Sequence, residues 1–490
     1  MANSTRAHQS RRRLLSYIAS VCFVVATLGC SLYYYEDEGP SIATPGPDIL
    51  YVDSVQGSDS RGDGSSTSPW ASLYRAVSQA GTGDVIRLLP GNYFKVPFRI
   101  TQNIIIEGLT FDPKTVYVWT DYADTFIWFN NPNATPENCG LRNLTLSGGN
   151  SANGWGASLQ ISSGRPALSN LIIRNARQGA DYGDHSVICV KSGASPVIDD
   201  VVISGVIPQP NASYLHGLRA EAGTDITVNR LTINDAKTSA VKTDGTITLT
   251  DCDLTDTTSG YGATVWLSPG ASATLSDCRL QTAGTYNIFA EQNSTLTVSG
   301  CVLRDAAQES VFLASGAFAT IVNSRFYDPY MNGVRLSDGA GATIFGSLFV
   351  GGFRGVYLGN SNTEITNSTF HNQSAQAIVE AHASSGLDMT NCAFGTTGFS
   401  PAINVNAPAL LKHCAFLTGA QPLSSPITCI ETTLALMFVN PSADNYLPPT
   451  GSPLINVGAL PSPGYPSVDL NGNPRLAGTA MDIGALETNY

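Results

Sequence analysis

The segments TLTDCDLTD (248–256), TLSDCRLQT (274–282), TVSGCVLRD (297–305), TIVNSRFYD (320–328), EITNSTFHN (364–372) and DMTNCAFGT (388–396) are copies of one short pattern. Its central residue, small or apolar, returns at Leu144, Leu171, Val201, Leu231, Cys252, Cys278, Cys301, Ser324, Ser347, Ser368, Cys392 and Cys414, at steps of 21 to 30 residues. Two residues after each of these stands a larger apolar one, from Leu146 and Ile173 through Leu254 and Leu280 to Phe326, Phe349, Phe370, Phe394 and Phe416. Positions i and i+2 of a strand point to one face, so both columns face inward. A repeat of this length, built on period-2 strands punctuated by Gly, Asn and Asp, is a solenoid of strands. The reading is a parallel β-helix.

A second strand precedes each mark, as in TVWLSPGASATLS (264–276), SVFLASGAFATIV (310–322) and GVRLSDGAGATIF (333–345), with a Gly-, Ser- and Asn-rich turn inside it. Length variation falls in the loop that follows the marked strand, as between Ile203 and His216, where an insertion leaves stacked coils undisturbed. No segment has the ten or more residues at 3.6 periodicity that a helical solenoid needs.

Ten cysteines are present, two of them (Cys22 and Cys30) near the N-terminus. Five of the remainder fill the inward column that Ser fills at 324, 347 and 368. The slot therefore takes a small side chain, and free buried thiols are expected rather than bridges between stacked strands. No CxxC or HxxxH spacing points to zinc.

Residues 1–29 read as an export signal. Arg11, Arg12 and Arg13 precede the apolar stretch Leu14 to Leu28, which ends at Gly29-Cys30. Cys30 resembles the lipidated residue of a lipobox, although Thr27 stands where Leu is usual. Ser10 to Leu15 resembles a twin-arginine motif. An uncleaved anchor through Tyr35 is the alternative. Either way the body lies outside the cytoplasm, in a bacterial cell envelope, after a polar, Pro-rich tether over 30–48. The chain carries a net charge of −12, only 13% of its residues are charged, and 1–29 hold four Arg and no acid, which leaves −16 on the remainder. Such a surface repels nucleic acid and anionic lipid, and a monomer is expected.

Residues 49–138 are assigned to an N-terminal cap and first coils, 139–418 to the β-helix and 419–490 to a C-terminal cap. SLYRAVSQAG (72–81) reads as a short amphipathic helix with Ser68 as N-cap and Gly81 just past its end. The run Tyr51-Val-Asp53, Gly57-Ser-Asp59, Gly62-Asp63-Gly64-Ser65, Pro69-Trp70, Gly83-Asp84 and Leu89-Pro90-Gly91-Asn92-Tyr93 resembles the opening of pectin-lyase-like right-handed β-helix proteins. The resemblance implies an all-β right-handed solenoid with a short helical cap and an irregular C-terminal cap. Gly451-Ser-Pro453, Asp469-Leu-Asn471-Gly-Asn-Pro-Arg475 and Met481-Asp-Ile-Gly-Ala-Leu-Glu487 resemble the choice-of-anchor Q region of bacterial surface β-helix proteins, with Asn456 where Asp is usual and Leu486 where an aromatic is usual. A surface lipoprotein held by Cys30 is what these resemblances imply together.

The same family offers two catalytic templates. One is a Lys or Arg base beside acidic Ca²⁺ ligands. The other is an Asp pair with His-Gly and Arg-x-Lys motifs. For the second, Asp199-Asp200 and His216-Gly217 are present, but Asp200 falls in a turn-side position also held by Asn143, Asn170 and Asn391. His185 and His216 read as solvated loop residues. The outward positions are more informative. Beside the inward residues Ile188, Leu218, Val241, Val265, Ile288, Val311, Val334 and Val356 runs a column Cys189, Arg219, Lys242, Trp266, Phe289, Phe312, Arg335, Tyr357. A neighbouring column includes Lys191, Glu221, Asp244, Ser268 and Glu291. Arg219, Trp266, Phe289, Phe312, Arg335 and Tyr357 are the candidate polysaccharide or cell-surface glycan contacts, each ring offering a face to one sugar. Glu221 and Asp244 are candidate ligands of Ca²⁺, and Lys242 is the candidate base if the protein is a polysaccharide lyase. The structural alternatives are a covering loop or self-stacking for the aromatics, and a surface ion-pair cluster for the charges.

Overall fold

A computed structural model describes residues 48–489 except 96, 122–123, 151–155, 178–183, 208–213, 235, 256–261, 282–283, 376–377, 383, 396–401, 406–408, 421–427 and 461–464. The export signal, Cys30 and nearly all of the tether lie outside the described residues. The described residues form a 26-stranded and a 13-stranded sheet, and every pairing between named strands is parallel. Register advances one coil at a time, as in Val241↔Val265↔Ile288↔Val311↔Val334↔Val356. The fold is an all-β, right-handed parallel β-helix. Among the described residues no helix is long and apolar enough to cross a membrane.

All twelve marked residues and their i+2 partners are buried. Just before each mark the backbone turns a corner. At Asn143, Asn170, Asp200, Arg230, Asp251, Asp277, Gly300, Asn323, Gly346, Asn367, Asn391 and His413, φ lies between 45° and 65°. Asn, Asp and Gly tolerate that left-handed conformation best, which accounts for ten of the twelve. Asp200 is thus a corner residue. Asp199 beside it pairs with Arg230 at 2.6 Å on the 26-stranded sheet, while His216 sits on a strand of the 13-stranded sheet. The Asp pair and the His-Gly motif do not meet.

The corner also explains the Cys/Ser column. There four successive backbone N–H groups donate to the side chain one coil on: Cys278 to Cys301 Sγ (3.4 Å), Cys301 to Ser324 Oγ (3.3 Å), Ser324 to Ser347 Oγ (3.3 Å) and Ser347 to Ser368 Oγ (3.2 Å). The acceptor then donates to the carbonyl two residues back, as Ser324 does to Val322 at 2.8 Å. In these coils, unlike those of Leu144 to Leu231 where the strand runs on unbroken, the slot takes a small side chain that both accepts and donates, because a buried unpaired N–H would cost about 1–3 kcal/mol. No disulfide joins the eight described cysteines to one another. Burial pushes the Cys414 thiol well up. One column further in, Phe326, Phe349, Phe370, Phe394 and Phe416 stack at 4.5 to 5.1 Å with planes within 7°.

Two features of the caps differ from expectation. The helix Leu73–Gln79 is capped by Ser72, whose hydroxyl accepts from the Arg75 N–H, rather than by Ser68. Asp59 selects Ser72, since its carboxylate takes the N–H groups of Ala71 and Ser72 and the Ser72 hydroxyl. Ser68 instead bridges Ser65 in a tight loop under Trp70. The C-terminal segment also does more than close an end. It runs back along the flank of the 26-stranded sheet, where Arg325 reaches Asn471 (2.7 Å), Tyr327 reaches Asp444 (2.6 Å) and Asn391 brackets Ala459.

Candidate functional site

The 13-stranded sheet carries the outward column in the expected register, Cys189↔Arg219↔Lys242↔Trp266↔Phe289↔Phe312↔Arg335↔Tyr357. It also extends the column upstream through Gln160, Trp128 and Arg99, and downstream to Glu380. The contrast with the adjoining sheet is sharp, because the outward column there reads Thr227, Thr248, Thr274, Thr297, Thr320, Thr343.

The charged part is a cluster around Asp184, which begins the strand Asp184–Val190. Its carboxylate accepts from Lys242 Nζ at 2.7 Å and lies 3.8 Å from both Arg219 Nη2 and His216 Nε2. Arg219 also reaches Asp244 at 3.3 Å, Asp244 takes a hydrogen bond from Ser268, and Lys191 pairs with Glu221 at 2.6 Å. The His216 ring, and then the Lys242 ammonium, hold the Asp184 carboxyl well below the usual carboxylate range, against a burial that acts the other way. Burial pushes the His216 imidazole down, against the hydrogen bond with Asp184, which acts the other way.

Several expectations change here. His185 and His216 are wholly buried rather than solvated. They belong to the strands themselves, with Ser186 and Ser239 in register on either side of His216. Glu221 and Asp244 do not face each other uncompensated. Lys191 neutralises one and Arg219 the other, so the repulsion that called for Ca²⁺ is relieved by side chains. Among the described residues no group of three His, Cys, Asp or Glu converges as a metal site. Lys242 donates to Asp184, and work as a base would require breaking that contact.

The aromatic part is a stack. Trp266 and Phe289 lie 5.5 Å apart, Phe289 and Phe312 are 5.3 Å apart and within 13° of parallel, and Tyr286 touches both phenylalanines. Lys242 covers Trp266 at 5.4 Å, and Arg335 lies 5.0 Å from Phe312 and 5.8 Å from Tyr357. Arg335 also reaches the buried Glu309 at 3.3 Å. The ring faces are therefore occupied by neighbouring coils and by cations. This corrects the expectation of one sugar per ring face: half-buried edges are what the column presents. The indole N–H of Trp266 donates to Glu291 at 2.5 Å, and Tyr357 shares a hydrogen bond with His382 at 2.7 Å.

Sequence reading missed Asp184, which stands in DYGDHS five residues before Cys189. Carrying the strand register upstream of that column would have placed it at a strand start. It also missed Trp128 and Arg99, although IWFN (127–130) and FRI (98–100) show the same alternation.

Residues 263–407 match a family model described as a right handed beta helix region. No curated protein matches. Among solved structures, pectate lyase Pel9A is 14% identical, with 91% of this chain and 97% of that chain covered and a TM-score of 0.38. The PL6 family alginate lyase AlyGC is 13% identical, with coverage of 79% and 53% and a TM-score of 0.40. Tailspike protein 3 of bacteriophage CBA120 is 12% identical, with coverage of 71% and 56% and a TM-score of 0.37. The present chain thus spans about half the length of each of the last two.

Proposed function

We propose that this is an exported, lipid-anchored surface β-helix that binds a polysaccharide along its 13-stranded sheet. One observation carries the reading: from Arg219 to Glu380 the outward column holds a ring or a charged group on every successive coil, where the neighbouring sheet offers threonine from Thr227 to Thr343. Coils about 4.8 Å apart repeat at close to the rise of an extended sugar chain, so one kind of contact can recur along the ligand. Ring edges supply apolar contact, while Glu291, Asp244 and the Tyr357 hydroxyl supply hydrogen bonds to sugar hydroxyls. Anchoring rests on the lipobox-like Gly29-Cys30 and the terminal resemblance. Cys30→Ser should then shift the protein from a detergent-extracted membrane fraction to a soluble one, and unchanged association would favour an uncleaved anchor.

A polysaccharide lyase is the second reading, favoured by the convergence of Lys242, Arg219 and His216 on Asp184, since clustered ionisable groups with a displaced carboxyl mark reactive sites. Affinity electrophoresis through gels holding a panel of polysaccharides, together with absorbance at 235 nm for unsaturated products, separates the two. The binding reading expects retention of the wild type by at least one polysaccharide, loss of that retention in Trp266→Ala with little change in melting temperature, and no unsaturated product. Retention by none of the panel contradicts it. Product that disappears in Lys242→Ala establishes the lyase.

A further inference from the structure

A cavity of 640 Å³ opens on the 26-stranded sheet, with Phe318, Gly341, Asn362, Glu364, Gly386 and Asp388 in its walls and floor. It falls within the size range of small-ligand pockets. We propose that it binds a linear polyamine, a small organic cation whose ammonium groups are spaced along an alkyl chain. The site is independent of the polysaccharide reading, which concerns the other sheet.

The sequence shapes the floor. Two outward columns cross this part of the sheet, Phe318↔Gly341↔Asn362↔Gly386 and Thr320↔Thr343↔Glu364↔Asp388. In the first, each side chain lies against the glycine one coil on. A Cβ on Gly341 would meet the Phe318 ring at 2.9 Å, and one on Gly386 would meet Asn362 Oδ1 at 2.7 Å, the atom that accepts the Gly386 N–H. The two glycines thus leave backbone open to close approach. Phe318 is 45% exposed, and its ring has no aromatic or cationic neighbour among the described residues. Phe289 and Phe312 on the other sheet, by contrast, cover one another, and Arg335 covers Phe312.

The second column supplies the charge. Glu364 and Asp388 stand directly opposite on adjacent strands, where like charges repel. The corresponding acids of the 13-stranded sheet, Glu221 and Asp244, are answered by Lys191 and Arg219. Glu364 and Asp388 have no ion-pair partner among the described residues. The Tyr465 hydroxyl donates to Glu364 while its ring stacks on Phe345 at 4.8 Å, which fixes that carboxylate before a ligand arrives. Two carboxylates are too few for Ca²⁺, which takes about six to eight oxygens, and no group of three His, Cys, Asp or Glu converges among the described residues. An ammonium has three donors and is satisfied by two carboxylates, while its alkyl stem covers the glycine floor. Glu364 lies two coils and one column from Phe318, about 12 Å, which a chain of about nine single bonds spans. One ammonium then sits between the carboxylates and another on the open face of Phe318. The net charge of −12 draws such a cation to the protein.

The test is titration calorimetry on the full chain with spermidine, the shorter diamine putrescine and calcium chloride, at about 0.15 M salt so that diffuse charge attraction is screened. Spermidine should bind, and putrescine, too short to reach both ends, should bind at least about fivefold more weakly. Asp388→Asn should lose at least about tenfold in spermidine affinity, and Asp388→Glu should keep most of it. Phe318→Ala should lose about fivefold. Asp225→Asn, which removes an exposed acid of the same sheet outside the cavity, should bind as the wild type does. Phe318 and Asp388 both point outward, so melting temperatures should not change. No spermidine binding, binding that survives Asp388→Asn or Phe318→Ala, or an equal loss in Asp225→Asn overturns the site. Calcium that binds the wild type and is lost in Asp388→Asn, with spermidine not bound, makes it a metal site and overturns the polyamine.

Discussion

Phe370→Ala is expected to destabilise the C-terminal half of the solenoid by about 3–5 kcal/mol, read as a lower urea midpoint for its unfolding. Phe370 is completely buried and sandwiched between Phe349 at 4.8 Å and Phe394 at 5.1 Å. Its removal takes away the transfer energy of the ring, leaves a cavity, and breaks a five-ring stack in the middle. Because each coil contacts only its neighbours, stability in such a fold is a sum of local terms, and the loss should fall on the coils around residue 370 rather than on the N-terminal ones. Phe370→Leu should recover part of it. A change below about 1 kcal/mol for Phe370→Ala would mean that the ring stack is dispensable.

Arg475→Met is the second large effect. Arg475 is almost wholly buried, donates to the carbonyls of Gly484 (3.2 Å) and Ala485 (2.9 Å), and lies 5.5 Å from the Phe345 ring. Burial pushes its guanidinium down to about 10, partly offset by Asp469, Glu487 and Asp482 nearby. Removing the cation takes a charge-assisted hydrogen bond from each of the two buried carbonyls, worth about 1.5–3 kcal/mol apiece. Glu487 gives this cap a pH signature. Burial, and then the Asp482 charge, push its carboxyl up to about 8. A carboxyl raised in the folded state contributes stability that is full below its unfolded pKa, near 4.3, and is lost as pH rises through about 8. The stability of the wild type minus that of Glu487→Gln should therefore fall between pH 5 and 8, measured as paired melting curves. A difference that is flat over that window would show that Glu487 is ionised throughout.

The fold was legible because its determinants are periodic. Inward columns at i and i+2, left-handed corners filled mostly by Asn, Asp and Gly, and a slot shared by Cys and Ser all recur at the coil length, so one stretch such as 264–282 predicts the next. Even the outward column was placed in correct register, since parity along a strand is fixed once the inward residues are known. Contacts between coils were not legible. That Lys191 would answer Glu221, that Asp184 would reach Lys242 across 58 residues, or that the rings would turn their faces to one another depends on side-chain direction, which periodicity does not encode. His216 illustrates the point: next to a variable loop it read as solvated, yet the neighbouring coils bury it. The path of the C-terminal segment was hidden for the same reason, as Arg325–Asn471 and Tyr327–Asp444 are aperiodic contacts.

The central claim is that the 13-stranded sheet is the ligand face, and side-chain footprinting tests it most directly. Hydroxyl-radical oxidation, read residue by residue by mass spectrometry, would be compared with and without a polysaccharide that retains the protein. Trp266, Phe312 and Tyr357 should lose reactivity together with Trp128, while Phe111 and Tyr330, strongly exposed aromatics outside the column, should keep theirs. Protection at Phe111 or Tyr330 with the column unchanged would place the ligand elsewhere and contradict the account.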